Sequence, residues 1–193
     1  MIELYITDIL ECDDIFPCFS SYRINKLSKT EDLLHRFQSA TAERLLCFAA
    51  KKEGYPLPLE IKTNSFGKPY TDNFYFIISH SHQKILVAIS DSDIGVDLQK
   101  VNCNQKLKVA RKFLTEEENK NIDVETFFKF FTMKESYFKM TGKGLPLSPV
   151  SFKSFEKCFF ETLKFDSYFI SVCSRSSAEF SIENVSHSAL QDF

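Results

Sequence analysis

Apolar residues recur at helical spacing in two long stretches of the chain and alternate with polar ones in several short stretches. Residues 31–52 place Leu33, Leu34, Phe37, Ala40, Leu45, Leu46 and Phe48 on such a repeat, which predicts a helix with Thr30 as its N-cap. Residues 127–139 place Phe127, Phe128, Phe131 and Phe138 at spacings of three, four and seven, a second core-facing helix that Gly142 and Gly144 stop. Between them, residues 104–122 read as a charged helix or helix pair, with Thr115-Glu116-Glu117-Glu118 as a helix start. Strands are predicted at 2–7, 61–63, 74–78, 85–90 and 94–99, then at 150–152, 158–163, 168–173 and 180–182. Ser79-His80-Ser81-His82 reads as a hairpin tip, and residues 10–30 and the last dozen carry little periodicity. Strand, long helix and strands are thus followed by strand, helices and strands. This order predicts an α+β protein of two related halves, 1–90 and 91–193, and its hairpin character argues against a parallel α/β sheet.

Composition narrows the function classes. At 193 residues the chain can bury a substantial core. A net charge of -2 argues against general affinity for nucleic acid, which needs a basic surface. No run of about 18 apolar residues is present, so no membrane span is expected. Met1-Ile2-Glu3 lacks the basic start of a signal peptide, which favours a cytoplasmic protein. Six cysteines without a C-x-x-C pair read as buried thiols. The 21 phenylalanines, against no tryptophan, are expected to fill the core.

Candidate chemistry gathers on the second helix. Glu135 and Lys139, four apart, share one side of it; the plain alternative is a surface ion pair worth about 0.2–0.5 kcal/mol. Asp97 lies in the apolar run Ile94-Gly95-Val96-Asp97-Leu98-Gln99, and a buried carboxylate needs a cation or hydrogen-bond donors, so it is either a structural group or a metal ligand. Ser79 and His80 suit anion binding, although strand neighbours face opposite ways and make a poor nucleophile–base pair. Arg23, Lys26 and Lys29 are close in sequence, and Arg36 and Arg44 lie on one face of the first helix. Gly142-x-Gly144 ends a helix, whereas phosphate-binding glycine motifs precede one.

Four segments in order carry a resemblance: Gly67-Lys68-Pro69-Tyr70, Ile78-Ser79-His80-Ser81, Ile94-Gly95-Val96-Asp97-Leu98-Gln99, and Phe131-Thr132-Met133-Lys134-Glu135-Ser136-Tyr137-Phe138-Lys139 with Gly142-Lys143-Gly144-Leu145. Together they resemble the 4′-phosphopantetheinyl transferases of the larger type that activates surfactin synthetase. The resemblance implies two pseudo-twofold-related α+β halves, a monomer, and Mg²⁺-dependent transfer of the phosphopantetheine arm. That arm would pass from coenzyme A to a serine of an apo acyl or peptidyl carrier protein, releasing adenosine 3′,5′-bisphosphate. Asp97 and Glu135 then match metal ligands, with Glu135 also the base and Lys139 the charge-offsetting lysine. Lys68, Ser79 and His80 match residues that hold coenzyme A, and Arg23, Lys26, Arg36 and Arg44 are candidates for its 3′-phosphate. Gln99 stands where the family usually has a second strand acid, and Phe131 where it usually has Trp. Loss of that acid leaves as an alternative a catalytically impaired module that binds carrier protein or coenzyme A; a third reading is a different coenzyme A-dependent acyltransferase. Lys106, Lys108, Arg111 and Lys112 could meet the acidic helix of a carrier protein.

Overall fold

The computed structural model describes residues 1–102, 113–120, 122–144, 146, 148–155, 157–177 and 179–193. They form two compact units, Met1–Ser92 with Glu179–Phe193, and Asp93–Ala178.

In the first unit, strands β1 (Ile2–Asp8), β4 (Tyr75–Ser81), β5 (Lys84–Ser90) and β9 (Phe180–Asn184) make a sheet of order β4-β5-β1-β9. β5 pairs antiparallel with both β1 and β4, while β9 pairs parallel with β1. Helix α2 (Leu33–Lys52) closes one face of this sheet, and Leu45, Leu46, Ala49 and Ala50 meet Tyr5, Phe76, Ile85 and Val87 in its core. A short helix α1 (Ser21–Leu27) packs on α2, and β2 (Lys62–Thr63) with β3 (Pro69–Tyr70) forms a small ribbon.

The second unit is a three-stranded antiparallel sheet of order β6-β8-β7 (Ile94–Lys100, Tyr168–Ser174 and Phe159–Phe165) with helix α3 (Val124–Thr141) laid on it. The register aligns Gly95 with Cys173 and Phe160, Asp97 with Ser171 and Thr162, and Gln99 with Phe169 and Lys164. Directly paired residues share a face, so these three rows point to the same side of the sheet. That side carries α3: the Thr132 hydroxyl is 2.8 Å from the Ser171 hydroxyl, which is 2.8 Å from that of Thr162. Asp123 caps α3 by accepting from the Thr126 amide. Gly142, at φ +68°, ends the helix with its amide on Phe138 O.

One position sets how closely helix and strand approach. A Cβ on Gly95 would lie 1.8 Å from Ser136 O, 2.7 Å from Met140 N and 2.8 Å from Met140 Cβ. The first two are backbone atoms of α3, so no rotamer change could make room. Buried Ser136 keeps the facing helix surface small, its hydroxyl turned back onto Met133 O.

Several local expectations give way to the tertiary structure. β4 runs on through Ser79, His80 and Ser81, and the hairpin turns at His82, whose φ is +52°. Pairing Ser79 with Leu86 and His80 with Ile85 extends the ladder past the point where the apolar run stops. The N-cap of α2 is Asp32, accepting from His35 N, so Thr30 precedes the helix. Leu33 and Leu34 are 63% and 47% exposed because the first turn of α2 extends beyond the sheet-covering segment. α1 arises in a stretch without apolar period; Ser20 caps it, and a buried ion pair holds it. Thr115 and Glu118 exchange capping-box hydrogen bonds around turns rather than at the head of a helix. Phe152–Ser154 is a 3-10 turn instead of a strand. The chain's end belongs to the first unit and not to a half spanning 91–193: β9 pairs with β1, and Val185, Leu190 and Phe193 are buried there. Lys106, Lys108, Arg111 and Lys112 lie outside the described residues.

Gly95→Ala is expected to destabilise the second unit by about 3 kcal/mol, the upper part of the range for overpacking, because rigid backbone opposes the new methyl group. Chemical denaturation checks this; an unchanged midpoint and slope would show that α3 does not need the close approach.

Candidate active site

Strand β6 alternates: Ile94, Val96 and Leu98 face one way, and Gly95, Asp97 and Gln99 face α3. Gly95 brings the helix close enough for its fourth and fifth turns to supply side chains beside Asp97. Lys139 Nζ donates to Asp97 Oδ1 at 2.6 Å, with the Asp97 side chain only 7% exposed. The lysine paired with Glu135 on the helix surface in the sequence reading thus reaches across to the strand. Burial, then the Asp97 charge, push the Glu135 carboxyl up to about 7 from its ordinary 4.5, against the opposing pull of Lys139. Glu135 therefore lies close to both the Asp97 carboxylate and the Lys139 ammonium, which gathers two acids and a lysine on one strand–helix unit. Gln99, half-buried two residues along the same face, contributes an amide where a third acid would add charge. Among the described residues no group of three or more His, Cys, Asp or Glu side chains gathers in metal-binding fashion.

On the other side of α3, Lys134 is fully buried, and sequence reasoning missed its part. Its ammonium donates to Phe113 O at 2.9 Å, Val150 O at 2.7 Å and Glu118 Oε2 at 2.6 Å. Glu118 in turn accepts from the amides of Thr115 and Phe152. Burial pushes the Glu118 carboxyl up, but Lys134 and the two amides outweigh it and hold the group below its usual range. This node ties the 113–118 and 150–152 segments to the residue preceding Glu135. Removing one partner of a buried pair of this kind costs about 3–5 kcal/mol. The capping-box letters at Thr115–Glu118 were a visible signal for Glu118, but its long-range partner was not. Gly95 carries no role legible within its motif, since only the helix above it reveals the constraint.

In the first unit, Lys68 sits half-buried in a turn whose Asn64 Oδ1 accepts from the amides of both Phe66 and Lys68. Ser79 is buried and His80 exposed, on opposite faces of β4 as strand geometry requires. The four basic candidates divide. Arg23 is 4% exposed; its Nε donates to Glu43 Oε2 at 2.9 Å and its Nη1 to Ser39 Oγ at 2.8 Å. Arg44 is equally buried, its guanidinium 4.0 Å over the Phe16 ring with Nη2 on Asp14 O. Arg36 pairs with Asp13 and donates to Leu27 O and Thr30 O. These three hold the α1–α2 region together, whereas Lys26 is exposed on α1. Glu43, wholly buried under Arg23 and the Ser20 amide and hydroxyl, explains why an arginine sits inside the fold.

Paired acids beside a lysine, carried on one strand–helix unit of an α+β chain, are equipment for a hard cation and an anionic ligand. Residues 93–190, which include all of that unit's site residues, match the model of the 4′-phosphopantetheinyl transferase superfamily. The chain belongs to that superfamily. It is similar to the 4′-phosphopantetheinyl transferase gsp of Aneurinibacillus migulanus, 35% identical over 99 residues, covering 47% of this chain and 41% of that protein. It is also similar to a 4′-phosphopantetheinyl transferase of Bacillus subtilis, 30% identical over 152 residues, covering 65% of this chain and 67% of the relative. The 4′-phosphopantetheinyl transferase Sfp of Bacillus subtilis strain 168 is 31% identical over 104 residues, covering 49% and 46%. For two of these three, the matched stretch spans less than half the relative's length. No described helix is long and apolar enough to cross a membrane.

Because the Glu135 carboxyl binds its proton more tightly in the folded than in the unfolded chain, folding stability should fall as pH rises from 4.5 to about 7. Glu135→Gln removes that slope, so in chelator the variant should match wild type near pH 4.5 and melt above it at pH 8. Thermal unfolding across this range checks it, and a wild-type disadvantage that does not grow with pH would contradict the raised carboxyl.

Proposed function

We propose that this chain transfers the 4′-phosphopantetheine arm of coenzyme A to a serine hydroxyl of an apo acyl or peptidyl carrier protein, acting as a cytoplasmic monomer. The observation that carries this reading is the coupling of Asp97, Glu135 and Lys139 on β6 and α3, within the residues that match the superfamily. Two carboxylates and the Gln99 amide oxygen suit Mg²⁺, a cation that takes oxygen ligands and keeps several waters. When bound, Mg²⁺ would neutralise charge on the pyrophosphate of coenzyme A.

Glu135 accepts the proton of the carrier serine, directly or through a water, as the serine oxygen bonds to the phosphorus that carries the pantetheine arm. The bond from that phosphorus to the bridging oxygen breaks, and adenosine 3′,5′-bisphosphate leaves with the electron pair. Lys139 offsets the charge that develops there. Lys68, Ser79 and His80 hold coenzyme A in this reading. Of the four basic candidates for its 3′-phosphate, exposed Lys26 is the best suited, because the arginines are engaged within their own unit.

With apo carrier protein, coenzyme A and Mg²⁺, the carrier should gain the mass of one phosphopantetheine arm. Glu135→Gln should slow this by about 10²–10⁴-fold, the range for loss of a general base. No mass gain on any of several carriers from fatty-acid and peptide synthetases, with Mn²⁺ also tried, would overturn the reading.

Gln99 favours the second reading of an impaired binding module, since it removes one charge from the cation site. Gln99→Glu should tighten Mn²⁺ binding by isothermal titration and raise an existing transfer rate. Transfer detected only in that variant would mean that the natural chain is the binding module.

A further inference from the structure

Two thiols meet on the α3 side of the second unit's sheet, away from the acids. Cys173, on β8, is fully buried; its thiol donates to Met140 Sδ at 3.9 Å, and it stands in register with Gly95. Cys158 is half-buried one residue before β7. The pairing of Phe159 with Ser174, continued by one residue, sets Cys158 opposite Arg175 and diagonal to Cys173 on the same face. The side chains agree with that placement: Arg175 Nη1 donates to Cys158 Sγ at 3.5 Å, and the Cys158 thiol adds to burial in holding the Cys173 proton.

We infer that Cys158 and Cys173 are a reversible redox pair, Cys158 as the thiol attacked first and Cys173 as the one that closes the disulfide. Accessibility assigns the roles, because solvent reaches Cys158 and not Cys173. The Arg175 guanidinium stands where negative charge gathers on the sulfur of Cys158 as it reacts. Burial holds the Cys173 thiol protonated, which keeps it from oxidant in bulk solution.

With hydrogen peroxide, Cys158 sulfur bonds to one peroxide oxygen, the O–O bond breaks, and water leaves to give the sulfenic acid. Cys173 sulfur then bonds to Cys158 sulfur, the S–O bond breaks, and the hydroxyl takes up the Cys173 proton as a second water. One peroxide is reduced to two waters and two thiols become one disulfide. Closing to an S–S bond draws Cys173 away from Met140, at the row where α3 rests on Gly95. The switch would therefore act on the helix that carries Glu135 and Lys139. Its formation does not depend on the transferase reading.

The test treats the purified chain with hydrogen peroxide and then digests it under non-reducing conditions. A peptide linking Cys158 to Cys173, returned to free thiols by dithiothreitol, is the expected result. In Cys173→Ala, which keeps the buried site small and apolar, Cys158 should instead stop at the sulfenic acid and be trapped by dimedone. Oxidation should also shift the melting temperature of wild type, but not of Cys173→Ala or Cys158→Ser. Dimedone trapping on wild-type Cys158 with Cys173 still free would overturn the pairing. A mapped disulfide with no change in melting would overturn the link to α3.

Discussion

The site depends on a missing side chain. At Gly95 the backbone of α3 comes so close to β6 that even a methyl group would overlap Ser136 O and Met140 N. That approach lets Lys139, a long side chain on a helix, end 2.6 Å from a carboxylate on the strand two residues further on. A helix held farther out would leave Asp97 buried without its ammonium, at a cost of several kcal/mol. The buried Thr132 and Ser171 hydroxyls and the half-buried Thr162 hydroxyl extend the same close contact along the sheet, each satisfying a neighbour rather than facing hydrocarbon.

Two buried ion pairs on α3 do different things. Lys134 and Glu118 are enclosed by carbonyls and amides that satisfy almost every donor and acceptor, so their charge is fully used within the unit. Asp97, Lys139 and Glu135 instead set two acids and one ammonium close together, with burial and the Asp97 charge holding Glu135 back from ionising. The raised Glu135 carboxyl makes folding less favourable as pH rises above the ordinary carboxylate range. Adjacent residues 134 and 135, about 100° apart around one helix, thus differ, one anchoring it to two loop segments and the other lying beside Asp97.

Basic residues also divide by burial. Four near the first helices were equal candidates for a phosphate on sequence alone. Glu43, an acid in the middle of α2, draws Arg23 inward, and Arg36 and Arg44 find Asp13 and Asp14 O in the loop before α1. An arginine's charge is legible in the chain, but the partner that claims it is set by where a distant acid is buried.

Local pattern and motif order determined much of this protein: both long helices, most of the strands, the Gly142 stop and the α+β class. These follow from period, capping chemistry and spacing, which act over a few residues. Tertiary structure alone decided which side of α3 rests on the sheet, that Lys139 bonds across to Asp97, and that Lys134 is enclosed by Glu118. It also decided that the chain's last strand returns to lie parallel beside its first. Each of these joins residues 16 or more positions apart, and such contacts depend on how closely whole elements can approach. At the centre of this protein that distance is set by one glycine, whose letter reveals nothing until the helix above it is in place.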